Sequence, residues 1–382
     1  MLDTNLFLGF LLVVAAGLGW LAGRLIEQRK KIKKSAIPPA EYYRGLNYLL
    51  RDESDKALSV LKSMAQADSG VAEVHFALGT LFRRRGETDR AIRIHQNLLA
   101  QPGLARRHRE HALFSLAEDY YKAGLFDRAE ALFVQAKEQG IRQQAALQKL
   151  ISIYELQCDW RQAIDVRRQL AGQMPGDHDE VIAHYHCELA CQARDANDLV
   201  KMREQLKKAR QSHREIARGS LMRADLAILQ DDLPLAVKLY KRILQSNPEM
   251  AALILLRLQG CLDPASPEYS RILADALRRQ PELSDHLAKA ALATRICGND
   301  VLIKSIRSYI ANDPALTALS ESYEANYSEL AAMLHSIGLA RLNFRCMDCG
   351  YFAEEMFWQC PACQSWSSAQ PDIKTTAMSP VR

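Results

Sequence analysis

The residues best placed to do chemistry are four cysteines near the end of the chain. Cys346-Met-Asp-Cys349-Gly350 and Cys360-Pro361-Ala-Cys363 are two CxxC pairs separated by ten residues. Each pair forms a tight turn that aims two sulfurs at one point, and two turns supply the four thiolates of a tetrahedral metal site. Gly350 permits the left-handed backbone such a turn needs, and Pro361 stiffens the other. Tyr351, Phe352, Phe357, Trp358 and Trp366 provide apolar cover for a lobe too small to hold a core, so metal binding is part of its folding. A closed four-sulfur shell leaves no position for substrate, which points to one structural ion, with zinc favoured over iron.

The two turns resemble the CxxCG and CPxC knuckles of rubredoxin, and also those of zinc ribbons. The rubredoxin resemblance implies an alternative function, electron transfer at iron on a helical-repeat scaffold. No Gly-rich phosphate loop, nucleophile elbow or HExxH pattern accompanies the cysteines, so no catalytic residue is assigned and an enzyme is not expected. Residues 345–366 hold one Arg and no Lys against Asp348, Glu354 and Glu355, which argues against a nucleic-acid-binding ribbon. A second cluster, His184, His186, Cys187 and Cys191, places His184, Cys187 and Cys191 on one helical face. It lacks a fourth ligand and reads as packing or groove lining. Cys158, Cys187, Cys191, Cys261 and Cys297 read as small buried apolar residues in a reducing compartment.

What must position these groups is a repeat. The stretch from Val71 to Pro102 holds two amphipathic patterns joined at Arg85-Gly86-Glu87, with small residues Gly79 and Ala91 twelve apart. Small residues let the paired helices approach, while Phe76, Leu78, Phe82, Ile92 and Leu98 fill the seam. The same spacing recurs at Gly45/Ala57, Ala117/Ala129 and Ala224/Ala236, more loosely at Ile151/Ala163, and at Ala190 with Met202 in the alanine position. The steps between successive first positions are 34, 38, 34, 39 and 34 residues. This period resembles the tetratricopeptide repeat, and two fainter copies follow, ending near Pro281 and Pro314. Met202 is expected to splay its helix pair. The segment from Thr317 to Leu342 reads as one long amphipathic helix capping the last repeat.

In a tetratricopeptide array the first helix of each repeat lines a concave groove. Carrying those positions over by the repeat register gives a partner groove of Phe76, Thr80, Arg83 and Arg84 with His111, Phe114, Tyr121 and Lys122. Rings beside cations suit a segment with carboxylates and one or two apolar anchors.

At the other end, Leu6 to Gly23 is eighteen residues without a charge, about 27 Å as a helix and enough for a bilayer core. A cluster of Arg24, Arg29, Lys30, Lys31, Lys33 and Lys34, offset by Glu27, follows it and accounts for the whole net charge of +5. By the positive-inside rule the N-terminus is periplasmic and the body cytoplasmic, on a single-pass anchor. Ala15, Gly19 and Gly23 form a small-residue strip suited to helix pairing, hence a homo-oligomer is a candidate state. The expected organisation is an all-α tetratricopeptide-repeat solenoid with an N-terminal transmembrane helix and a small rubredoxin-like or zinc-ribbon metal domain. Its boundaries are 1–26 transmembrane anchor, 27–37 basic juxtamembrane linker, 38–316 solenoid, 317–342 capping helix, 343–370 four-cysteine metal domain and 371–382 disordered tail.

Taken in this order, the three parts resemble the lipopolysaccharide assembly protein B family, most strongly over Gly79 to Leu99 (GTLFRRRGETDRAIRIHQNLL) and Arg345 to Trp366. The resemblance implies regulation of lipopolysaccharide biosynthesis at the cell inner membrane of a Gram-negative bacterium. It implies an adaptor that brings the lipid A committed-step deacetylase (LpxC) to a membrane AAA protease (FtsH). It also implies association with other lipopolysaccharide assembly proteins and with a lipopolysaccharide-sensing membrane protein.

Overall fold

The computed structural model describes residues 17, 19, 20, 23, 24, 40–51, 53–67, 72–214, 216–247, 250–279, 281, 283–295, 299–312, 317, 327–336 and 343–371. Most of the expected membrane anchor, the whole 27–37 linker and all but the first residue of the 371–382 tail lie outside the described residues. Among the described residues no helix is long and apolar enough to cross a membrane.

The first compact unit, residues 1–159, contains α1 (Ala40–Leu50), α2 (Ser54–Ala67), α3 (Ala72–Arg84), α4 (Thr88–Ala100), α5 (Arg106–Lys122), α6 (Phe126–Glu138) and α7 (Gln143–Leu156). Consecutive helices pack as antiparallel pairs, and α3 also touches α5. Gly45, Ala57, Gly79, Ala91, Ala117 and Ala129 are all buried at the pair seams. At Gly79 the approach is closest, since a Cβ there would stand 2.5 Å from Cε1 of the buried His95 and something would have to shift.

One backbone device closes the pairs. Gly86, Gly124 and Cys158 all have positive φ, each seven residues beyond the first seam position of its repeat, Gly79, Ala117 and Ile151. The following N–H donates back to a carbonyl of the preceding helix, as in Glu87 N to Phe82 O at 2.9 Å and Leu125 N to Tyr120 O at 2.9 Å. This is the six-to-one bond of a Schellman ending. Cys158 is therefore exposed at a left-handed turn. The expectation that it fills a core fails because a turn position of this kind faces solvent.

The second unit, residues 160–382, contains α8 (Trp160–Ala171), α9 (His178–Asp195), α10 (Leu199–Ser212), α11 (Ala217–Leu229), α12 (Leu233–Ser246), α13 (Ala251–Gln259), α14 (Pro267–Arg279), α15 (Leu283–Thr294), α16 (Asp300–Ala311) and α17 (Tyr327–Ser336). Asn197 and Asp231 supply the same left-handed turn, and Asp198 and Asp232 then cap α10 and α12 by accepting from Lys201 N and Leu235 N. Asn and Asp tolerate that conformation where glycine is lacking. Met202 does not splay its pair. It is 1 % exposed and packs with Ala183, Cys187, Ala190 and Ala193. Small residues on α9 make room for the unbranched methionine, so the seam closes at similar volume.

Leu255, Leu273, Leu287, Leu302 and Leu330 belong to one core running from α11 to α17. Of the expected capping helix the structure describes residues 317 and 327–336, and Leu330 and Ala331 bury themselves against that core. The chain then enters a three-stranded antiparallel sheet, β1 (Phe344–Cys346), β2 (Phe352–Ala353) and β3 (Ala369–Pro371), ordered β2-β1-β3.

Candidate metal centre and concave pocket

The four cysteines converge. Their Sγ atoms all lie within 4.8 Å of one another, with Cys346 to Cys363 and Cys349 to Cys360 each 3.6 Å apart. Thiolates about 2.3 Å from a tetrahedral ion stand roughly 3.8 Å apart, so the arrangement fits one ion held by Cys346, Cys349, Cys360 and Cys363. Bound there, the ion cross-links the two turns and stands in for a core.

The turns are built alike. Gly350 N donates to Cys346 O and Gln364 N to Cys360 O, while Cys346 N reaches Tyr351 O and Cys360 N reaches Ser365 O. Gly350 takes φ +78° and Gln364 φ +63°. The second knuckle thus forces a non-glycine residue into the left-handed region that glycine occupies in the first. Ser368 Oγ lies 3.2 Å from Cys346 Sγ and draws that thiol down to about 6.

The ribbon formed by this sheet and its knuckles is docked on α8, α9 and α11. The Trp366 ring stacks on His184, centroids 4.9 Å apart, and meets Tyr185 and Trp160 edge-on at 5.7 and 6.3 Å. His184 Nε2 and Ser367 Oγ are hydrogen-bonded at 2.7 Å. Arg218, 6 % exposed, lies under Trp358 and is ion-paired to Glu188 at 2.7 Å. Met356 and Trp358 pack against the core of the second unit. His184 is therefore a docking residue, and among the described residues the cysteine quartet is the one group arranged to hold a metal ion. Cys187 is buried and Cys191 partly so, both as packing residues; Cys261 is half-buried, and Cys297 lies outside the described residues.

In the first unit the corresponding face is open. A cavity of about 880 Å³ is lined by Phe76, Thr80, Arg84 and His111 of the expected groove, together with Glu73, Ala77, Leu81, Arg107, His108, Glu110, Gly140, Ile141 and Arg142. The other four expected residues lie elsewhere. Arg83 bridges to Glu118 at 2.9 Å and Asp119 at 2.8 Å, because the fully buried Asp119 needs a cation across the α3–α5 contact. Asp119 also bonds His95 Nδ1. Phe114 is buried edge-on against Phe133, and Tyr121 lies edge-on to Phe126 with Lys149 over its ring. Lys122 is exposed outside the cavity.

Arg142 escaped the sequence reading because it is on a turn between repeats, at φ +44°, rather than on a first helix. Arg218 stands 34 residues after His184, so the repeat register was a signal for it. Ser367 had none, since its partner is 183 residues away.

Residues 344–371 match the family described as rubredoxin metal binding domain, and residues 74–110 match the tetratricopeptide repeat. Among solved structures, the Naa15/Naa10 complex bound to HypK-THB aligns with a TM-score of 0.50 at 14 % identity, covering 78 % of this chain and 46 % of that one. Lipopolysaccharide assembly protein B of Escherichia coli strain K12 is 32 % identical over 376 residues, covering 94 % of this chain and 96 % of that protein. The Haemophilus influenzae protein of the same name is 30 % identical over 385 residues at the same coverage. A tetratricopeptide array followed by a four-cysteine ribbon, similar to these relatives along nearly its whole length, belongs to the lipopolysaccharide assembly protein B family.

Proposed function

We propose that this chain is a non-catalytic adaptor of lipopolysaccharide assembly, holding the lipid A committed-step deacetylase where a membrane AAA protease can degrade it. The observation that carries this reading is the contrast between the two concave faces. The group with the richest chemistry, the thiolate quartet, is a closed shell whose ribbon is docked on the second unit. The first unit offers an open cavity lined by rings and guanidinium groups. That pairing suits capture of another molecule, and the relatives carry the name of an assembly protein.

In this reading residues 1–26 cross the inner membrane and the body lies on its cytoplasmic side, with zinc as the structural ion. Other lipopolysaccharide assembly proteins and a lipopolysaccharide-sensing membrane protein are further partners. Tethering beside a membrane protease raises the local concentration of a held client, to about millimolar for short linkers.

The test is cellular. Depleting the protein is expected to raise deacetylase and lipopolysaccharide levels, and deleting residues 1–26 to impair control while the repeats stay folded. Normal deacetylase turnover by the untethered form at native abundance would sink the tethering argument.

A further inference from the structure

We propose that the cavity bounded by α3, α5 and the turn between α6 and α7 is a receptor for a linear acidic peptide segment carrying one aromatic or branched apolar side chain. The inference deepens the adaptor reading by naming what the open face recognises, and rests on it only for the biological source of the segment.

Three guanidinium groups reach the cavity from three separate elements: Arg84 at the end of α3, Arg107 at the start of α5, and Arg142 on the turn. None of them has a carboxylate partner among the described residues. The lining holds two acids, Glu110, which pairs with Arg106 at 2.8 Å, and Glu73, which lies 3.2 Å from the His108 ring, so three guanidinium groups stand against two carboxylates. The unmatched charge of the lining is thus positive. The turn that presents Arg142 runs Gly140 at φ +71°, buried Ile141, then Arg142 at φ +44° with its guanidinium 5.1 Å from the Phe114 ring centroid. The left-handed turn is a device the chain also uses at Cys158, Asn197 and Asp231, and here it brings a charged side chain to a cavity.

The spacing selects an extended ligand over a single anion. As first helices of successive repeats, α3 and α5 run in the same direction, and in repeat register Arg107 precedes Arg84 by fifteen positions. At the helical rise their backbones are roughly 20 Å apart along the groove. One phosphate cannot engage both, whereas carboxylates spread along a peptide can. Between them lies an apolar floor of Phe76, Ala77, Leu81 and Ile141, and the His111 ring stacks on Phe76 at 4.1 Å and 20°. Burial, then Arg142, lowers His111 to about 4, so near neutral pH it is a flat uncharged platform rather than a fourth cation.

The second unit offers an internal precedent. Glu73 and His111 occupy the register position six residues before the small residues Gly79 and Ala117, and His184 and Arg218 occupy that same position before Ala190 and Ala224. On His184 and Arg218 sits a loop of the chain's own ribbon, seated by Trp366 stacking and by the Ser367 hydroxyl. This face of the repeat therefore takes a loop led by an aromatic ring. In the first unit the equivalent surface differs by its surplus of arginine.

The experiment is selection of random twelve-residue peptides on the purified full-length, zinc-loaded protein, then affinity measurement on the enriched sequences. Enrichment of two or more Asp or Glu around one aromatic or branched residue is expected, with binding that weakens as salt is raised. Arg84→Glu with Arg107→Glu should lower affinity at least tenfold without changing thermal unfolding, and the paired lysine variants should retain part of it. Absence of enriched peptides, enrichment without acidic bias, or acidic peptides binding the double variant equally would overturn the proposal. So would equal competition by inorganic phosphate or by anionic phospholipid vesicles, which would assign the site to simple anions or to lipid. Peptide capture in vitro is independent of deacetylase turnover in cells, so the two readings fail separately.

Discussion

His184 and Ser367, 183 residues apart, share a 2.7 Å hydrogen bond that pins the metal ribbon to the repeats. The bond sits beside the Trp366 stack, so hydroxyl and ring seat the ribbon together. Trp366→Ala is expected to weaken docking by about 2 kcal/mol from lost apolar burial and ring contacts. Ser367→Ala should weaken it by about 1 kcal/mol. Limited proteolysis of residues 343–371 is the measurement, and equal resistance in Trp366→Ala and native protein would show that other contacts hold the ribbon.

Docking should also depend on pH. Burial beneath the ribbon, with positive potential from Arg218 and then His213, lowers His184 to about 3 from the ordinary 6.5. The ribbon faces it with Ser367 and the rings of Trp358 and Trp366, which carry no charge. Once exposed, the imidazole takes a proton at about 6.5. The docked state binds fewer protons between these values, so docking is strongest above pH 6.5 and weakens as pH falls toward 3. Tryptophan fluorescence against pH should show this limb in native protein and a flatter one in His184→Gln. Superimposable curves would assign the acid response to another group.

Removing the ion should act locally. Cys346→Ser with Cys349→Ser, or a strong chelator, is expected to abolish the one-ion stoichiometry and melt the ribbon, because nothing else in that lobe substitutes for a core. The fluorescence of Trp358 and Trp366 should change while the helical circular dichroism of the repeats persists. Metal analysis of protein purified without added metal separates zinc from iron, and a reversible thiolate-to-iron absorption band would favour the electron-transfer alternative.

Gly79 and Asp119 make the sharpest stability test in the first unit. Gly79→Ala places a Cβ 2.5 Å from Cε1 of the fully buried His95, so the ring or the helices around it must shift. A loss of about 1–3 kcal/mol is expected from overpacking. Asp119→Ala strips buried His95 and the largely buried Arg83 of their shared carboxylate and should cost about 3–5 kcal/mol. Urea unfolding of both variants measures these losses, and near-native midpoints would mean the α3–α5 contact tolerates rearrangement.

How much was legible in the chain follows from where each signal is encoded. Short-range patterns were readable: the 34-residue rhythm of small residues, the CxxC turns and their ten-residue spacer, the glycine at 350. In each case the physical requirement falls on neighbours a few residues apart, in a helix seam or a tight turn, and so leaves a periodic trace. Four groove residues transferred by that rhythm do reach one cavity, while Arg83 does not, since the buried carboxylate of Asp119 outweighs its pull toward solvent.

Other assignments needed the folded chain. Whether Met202 would spread its helices depended on the small residues facing it across the seam, and Cys158 became an exposed turn residue because of its backbone angle. The sequence by itself determined the repeat, the thiolate quartet and the family. Only the tertiary structure decided that the ribbon docks on His184 and that Arg142 joins Arg84 at an open cavity. Those pairings join residues far apart in the chain, and no local periodicity carries a contact whose two halves are selected separately and meet only after folding.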